Sequence, residues 1–140
     1  MNEDKMKAIP IFGYEIIRDH VLSSILGKHE NDVLYWAGKE LARKFPLFSI
    51  EEANSFFEQA GWGSLSLEKE QKDSAIYVLE TDQNILKTNQ RCFRLEAGFL
   101  AEQTQKLNGF LTECYDEVNG KQNKVSFTVK WDLKERILAK

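Results

Sequence analysis

The stretch RCFRLEAGFLAEQTQKLNGF, residues 91–110, has the pattern of a helix with apolar side chains on two faces. At about 100° per residue, one arc carries Phe93, Ala97, Leu100, Ala101, Thr104 and Leu107, and the other carries Cys92, Leu95 and Phe99. A helix with two apolar faces is covered on both sides. We therefore expect the first arc to pack on a sheet and the second on another helix, of the same chain or of a second subunit.

Three helices are predicted before this stretch, over about residues 14–26, 32–45 and 50–60. The apolar stripe of the first helix comprises Tyr14, Ile17, Val21 and Ile25. The third helix is the best delimited, because Ser49 and Glu52 have the spacing of a capping box, in which each side chain bonds a free backbone amide of the other residue.

The second helix carries two residues that indicate close packing. Gly38 lies in mid-helix, where glycine costs about 1 kcal/mol relative to alanine, so we expect a backbone or a large ring to approach it closely. Trp36 lies outside the main apolar stripe, which indicates a second packed surface. Gly98, beside Phe99, would allow a similarly close approach. The residues predicted to form an interface are Trp36, Leu95, Gly98 and Phe99.

Two hairpins complete the predicted fold. Residues 63–80 and 111–131 each contain two β-rich runs separated by a polar turn, and Lys124, Ser126, Thr128 and Lys130 alternate with apolar residues. The order α-α-α-β-β-α-β-β indicates an α+β protein with a helical layer on one face of a four-stranded antiparallel sheet. The charged tail DLKERILAK, residues 132–140, is interpreted as a last short helix.

Composition indicates one ordinary globular domain, residues 1–140, with a core over about residues 10–131. A formal net charge of −3 leaves no excess of basic residues for binding nucleic acid. The chain has no apolar run long enough for a signal peptide or a membrane span, so we expect it to be cytoplasmic. Cys92 and Cys114 are 22 residues apart with no metal-binding spacing, which favours reduced structural thiols.

The segments DVLYWAGKELARKFP, residues 32–46, and LEAGFLAEQTQKLNGF, residues 95–110, together with the element order, carry a family resemblance. The chain resembles the superfamily of the TRAPP vesicle-tethering subunits, the 4-vinyl reductase domain and the haem nitric-oxide-binding domain. Within it, the chain is most similar to the YslB-like family of Bacillus-type bacteria, over about residues 10–131. The resemblance implies a frequently dimeric protein with an interior pocket that holds an acyl chain, an aromatic ligand or haem in some relatives, but it does not transmit an activity.

Few residues of the sequence are candidates for catalysis or for binding a cofactor. A haem site would need an axial ligand, and the two histidines, His20 and His29, lie outside the apolar stripe and in a connecting segment. Glu96 falls in an apolar arc and is either a buried acid that anchors a ligand or the partner of a nearby Arg or Lys. Cys92, one turn earlier, is either a small buried hydrophobe or a site of acylation as in some TRAPP relatives.

The aromatic set Trp36, Trp62, Phe93, Phe99 and Trp131 either lines a pocket or fills the core. We assign the candidate pocket wall to Cys92, Phe93 and Glu96, with no catalytic residue, no metal and no predicted cofactor. Haem and lipid are the alternatives for a cofactor.

The functional hypothesis is a non-catalytic module that forms a homodimer through helices and recognises a protein or a small apolar molecule. One alternative is a small enzyme or a haem-type sensor. The other is a structural adaptor with a solid core and no pocket.

Overall fold

Helices and a sheet follow the predicted order in the computed structural model, which describes residues 11–81, 85–86, 91–119 and 121–137. Its described residues include the α-helices α1 (Ile11–Glu15), α2 (Leu22–Leu26), α3 (Glu30–Lys44), α4 (Ala53–Gln59) and α5 (Arg94–Asn108). A π-helical segment, Ile16–Val21, joins α1 to α2, and we call residues 11–26 the N-terminal helix. Single 3₁₀ turns at Gly27–His29 and Ile50–Glu52 precede α3 and α4.

The four strands form one antiparallel sheet. They are β1 (Ser64–Glu70), β2 (Ser74–Glu80), β3 (Phe110–Asn119) and β4 (Lys124–Arg136), in the spatial order β1-β2-β4-β3. The predicted fold class, an α+β protein with helices on a four-stranded antiparallel sheet, is confirmed.

Helix α5 lies between α3 and the sheet, and every residue from 96 to 103 is buried. The sheet face below it is apolar, because successive side chains of a strand point to opposite faces. The buried apolar side chains of that face are Leu65, Ala75, Tyr77, Leu79, Cys114, Val125, Phe127 and Val129. The alternate residues of β4, from Lys124 to Lys130, are half-buried or exposed, as the predicted polar face requires.

The capping signals are confirmed at atomic detail. The Glu52 carboxylate accepts hydrogen bonds from the backbone amides of Phe48 (2.7 Å) and Ser49 (3.2 Å), which completes the capping box. Helix α5 ends at Gly109, whose φ of 80° lies in the left-handed region that glycine adopts without strain.

Two sequence interpretations need correction. Ile17, Val21 and Ile25 were expected to face the core, but they are exposed, and Arg18 is buried in their place. The π-helical segment explains the change, because its wider turn alters which side of the helix residues three positions apart occupy.

The second correction concerns the tail. Residues 132–136 do not form a helix but extend β4, so that Arg136 pairs with Phe110 at the start of β3. The guanidinium of Arg136 also lies 4.9 Å from the centre of the Phe110 ring. The interpretation of residues 138–140 as helical falls outside the described residues. Within the described parts of the chain, the helices are all too short or too polar to cross a membrane.

Candidate functional site

Glu96 is fully buried at the start of α5 and pairs with Arg18 of the N-terminal helix, with 2.5 Å between Arg18 Nη2 and Glu96 Oε1. Arg18 also donates to the Cys92 carbonyl (2.9 Å) and to the Tyr14 hydroxyl (2.6 Å). Burial alone would lower the pKa of the guanidinium, but the Glu96 carboxylate and the Tyr14 hydroxyl raise it above the ordinary arginine value. Glu96 is therefore a buried acid that is paired with an arginine.

A second ion pair lies beside the first. Arg91, also buried, donates from Nε and Nη2 to the two carboxylate oxygens of Asp19, at 2.7 and 2.9 Å. Its guanidinium lies 5.1 Å from the centre of the Tyr14 ring. We call Tyr14, Arg18, Asp19, Arg91 and Glu96 the polar cluster. Because both of its carboxylates are held by guanidinium groups, the cluster fits an anchor for the N-terminal helix better than a proton-transfer site.

Three atoms of the cluster have no hydrogen-bond partner in the structure, namely Arg18 Nε, Arg91 Nη1 and Glu96 Oε2. Buried polar atoms are paired in most proteins, so each of these atoms weakens the cluster relative to a fully bonded network. The stability of the polar cluster therefore depends on its two ion pairs, Arg18 with Glu96 and Arg91 with Asp19.

Cys92 and Phe93 lie between Arg91 and Glu96 in the chain, next to the polar cluster, and Arg18 of the cluster donates to the Cys92 carbonyl. The Cys92 thiol is half-buried and donates to the Asn31 side-chain oxygen at 3.2 Å, and burial raises its pKa. A raised pKa keeps the thiol protonated and weakly nucleophilic. Phe93 is part of the core. Cys92 and the buried Cys114 are both free thiols.

Gly38 and Gly98 meet where α3 crosses α5. A Cβ on Gly98 would overlap the carbonyl oxygen of Tyr35, and a Cβ on Gly38 would overlap that of Leu95 and lie 2.8 Å from the Phe99 amide nitrogen. The second arc of α5 therefore packs on a helix of the same chain, which was the first of the two alternatives. Of the residues predicted to form an interface, Gly98 and Phe99 are buried within the chain and Leu95 is half-buried at this crossing.

Trp36 is different, since 61% of its surface is exposed. The N-terminal helix that precedes α3 adds further exposed apolar side chains, including Ile17 at 57% and Ile25 at 74%. The others on that helix are Ile11, Phe12, Ile16 and Val21. We call these six side chains and Trp36 the exposed apolar surface.

The described residues form an outer groove and a helix-end groove on the surface. The outer groove, about 490 Å³, is lined by Asp73, Leu111, Glu113, Lys130, Trp131, Asp132, Leu133 and Lys134. The helix-end groove, about 360 Å³, is lined by Phe48, Ser49, Ile50, Glu70, Ala75, Tyr77, Thr104, Leu107, Asn108 and Trp131. Neither groove touches Cys92, Phe93 or Glu96, which lie at the opposite end of α5 from the helix-end groove.

The helix-end groove is apolar with a few polar groups. Thr104 contributes a hydroxyl oxygen that has no hydrogen-bond partner. Burial, followed by the nearby carboxylates of Glu70 and Glu51, raises the pKa of the Tyr77 hydroxyl to about 12. Aromatic walls with a few polar groups are typical of small-molecule sites, and the volume is at the lower end of their range.

Neither histidine lies in the interior of the fold. His20 and His29 are exposed. In the part of the chain that the structure describes, His, Cys, Asp and Glu side chains do not come together in threes in a way that could hold a metal ion.

Sequence reasoning missed Arg18 and, apart from Trp131, the residues of the helix-end groove. The four-residue step from Tyr14 to Arg18 was a signal, because residues four apart share a helix face. The groove had no such signal, since Phe48, Tyr77 and Trp131 are far apart in sequence. Of the predicted aromatic set, Trp62, Phe93 and Phe99 are in the core.

Comparison with known proteins confirms the predicted family resemblance. Residues 11–130 match the family described as protein of unknown function, DUF2507. The protein called uncharacterized protein YslB, from Bacillus subtilis strain 168, is 45% identical over 139 residues, covering 96% of this chain and 94% of that protein.

Solved structures show the same fold. A vinyl-4-reductase family protein from Methanocaldococcus jannaschii matches 94% of this chain and 88% of its own, with a TM-score of 0.66 and 20% identity. A trafficking protein particle complex subunit 3 from Naegleria fowleri, covalently bound to palmitic acid, matches 92% of each chain, with a TM-score of 0.54 and 11% identity. At these identities the likeness concerns the fold alone.

Proposed function

Since the chain belongs to the DUF2507 family of proteins of unknown function, we propose that it is a cytoplasmic, non-catalytic interaction module that pairs with a second copy of itself through helices. The observation that carries the proposal is the exposed apolar surface. Single exposed apolar side chains are normal, but a helix that exposes six of them is typical of a protein interaction site.

The polar cluster supports this proposal. Buried ion pairs attach the N-terminal helix to α5 through Arg18 and to the segment just before α5 through Asp19, so the exposed apolar residues lie on an anchored element. An anchored surface loses less conformational entropy on binding than a loose segment would.

Native mass spectrometry tests the proposal. We expect the full chain to give a dimer mass, and Ile17→Glu together with Ile25→Glu to give a monomer, because a charge on each copy cannot be buried without a partner. Leu133→Glu, which changes an equally apolar exposed residue on β4, is the matched control and should leave the dimer intact. A monomeric parent chain, or a dimer that survives the double substitution, would show that this surface is not the interface.

A second candidate function, binding of a small molecule, rests on the helix-end groove. The same spectra test it, because a bound molecule adds mass that denaturation removes. A Soret band in the purified protein would instead favour the haem-type sensor, and a dimer with no ligand of any class would favour the structural adaptor.

A further inference from the structure

We propose that the helix-end groove binds a small organic cation, an amine or quaternary ammonium group on an apolar body. This inference rests on the ligand-binding function proposed above and is independent of dimerisation.

Three aromatic side chains line the groove, namely Phe48, Tyr77 and Trp131. They are separate from the rings that stack on one another, which are Phe45, Phe56, Phe57, Trp62 and Phe99. Phe48 is 94% exposed and Trp131 is half-buried, whereas Tyr77, at 7% exposure, reaches the groove with only a small part of its side chain. Aromatic faces attract cations through the ring quadrupole, and cages of such rings recognise quaternary ammonium groups.

The charged residues around the helix-end groove favour binding of a cation over binding of an anion. Among the described residues that line the groove, Glu70 is the charged side chain and none is a Lys or Arg. Glu51 lies close enough to act on the Tyr77 hydroxyl together with Glu70. Both carboxylates therefore contribute a negative potential in the groove.

The backbone adds to this potential. Thr104, Leu107 and Asn108 belong to the last turns of α5, where the helix dipole carries partial negative charge. The 3₁₀ turn on the other wall does not offer an anion site, because the Glu52 carboxylate already accepts the amides of Phe48 and Ser49. The outer groove, in contrast, mixes lysines with carboxylates and shows no preference for either charge.

Choline and 3,3-dimethylbutan-1-ol test the proposal, because they share one shape and differ in charge. Each is titrated up to roughly 50 mM into the ¹⁵N-labelled full chain, with the Trp131 indole N–H as the readout. We expect choline to bind at least about fivefold more tightly than the alcohol. Trp131→Phe identifies the indole signal among the three tryptophans of the chain.

The variants separate charge from shape. Glu70→Gln should remove most of the preference for choline and leave binding of the alcohol unchanged. Glu68→Gln, an exposed carboxylate on the same strand that does not line the groove, should leave the preference intact. Equal affinities for the two probes would overturn the proposed preference for a cation, while the helix-end groove would still be a ligand site. If neither probe shifts the Trp131 indole signal, the proposed ligand site is wrong as well. The proposed dimer does not depend on this result, because native mass spectrometry tests it separately.

Discussion

Two glycine residues, Gly38 and Gly98, set the distance between α3 and α5. Each faces the backbone of the other helix, at Leu95 and Tyr35 respectively, so the crossing has no room for a Cβ on either side. The cost of a mid-helix glycine is offset by this close packing.

Gly98→Ala should destabilise the protein by about 2 kcal/mol or more, because the added methyl group must separate two packed helices. Urea unfolding, followed by circular dichroism, measures the loss. Gly13→Ala is the control, since its Cβ would have nothing within 4 Å, and we expect a gain of at most about 1 kcal/mol there. If both variants shift the unfolding free energy alike, the crossing is looser than the structure shows.

Arg18 and Glu96 should depend on each other for stability. Arg18→Leu leaves the Glu96 carboxylate buried without its partner, and we expect a loss of about 3 to 5 kcal/mol. The double variant, with Glu96→Leu as well, should be less destabilised than Arg18→Leu alone, because it removes both charges from the interior.

Denaturant unfolding of the single and double variants measures this coupling. Glu40→Leu is the control, since Glu40 and its partner Arg43 are both partly exposed, and the loss of this pair should cost less than about 1 kcal/mol. A double variant that is less stable than Arg18→Leu would contradict the coupling.

Among the elements, the N-terminal helix departs most from its sequence pattern. Its apolar stripe is continuous at steps of three and four residues, which describes an α-helix with one inner face. The π-helical segment Ile16–Val21 interrupts that geometry, and the buried ion pair of Arg18 occupies the inner side. The pattern identified a helix but not the side that is buried.

Strand β4 gives a testable prediction at the scale of an element. Its end is held by the pairing of Arg136 with Phe110 and by a hydrogen bond from the Ile137 amide to the Gly109 carbonyl (2.7 Å). Deleting residues 133–140 should therefore cost about 1 to 3 kcal/mol, since several net hydrogen bonds of about 1 kcal/mol each are lost.

Thermal unfolding compares this deletion with a chain that lacks only residues 138–140. We expect the shorter deletion to leave the midpoint near that of the full chain. Equal midpoints for both deletions would mean that the end of β4 adds no stability.

For the whole molecule, the proposed dimer should resist salt. Its surface is apolar, and apolar association is not screened by ions, whereas pairing through surface charges weakens as the Debye length shortens. Light scattering on a sizing column should therefore give the same dimer mass at about 0.05 and 0.5 M sodium chloride. Dissociation at the higher salt concentration would indicate a charged interface elsewhere.

Glu96 and Trp36 are two residues of the candidate site that the sequence analysis singled out, with different outcomes. Glu96 was identified as unusual, and the structure supplies its partner, Arg18, from 78 residues earlier in the chain. Trp36 was expected on a packed surface and is exposed, so its partner remains part of the proposal. The residues of the helix-end groove lacked a common local pattern, because they come from five separate segments of the chain.

Sequence patterns alone predicted the order of helices and strands, the capping box at Ser49 and Glu52, and the antiparallel α+β class. These features depend on periodicity and on contacts between residues a few positions apart, which any reading of the chain can detect. Three features became clear only from the packed fold: which side of the N-terminal helix is buried, which backbone each glycine approaches and where the grooves lie. Those features depend on residues far apart in sequence and on space that side chains leave unfilled. A local sequence pattern contains no information about either.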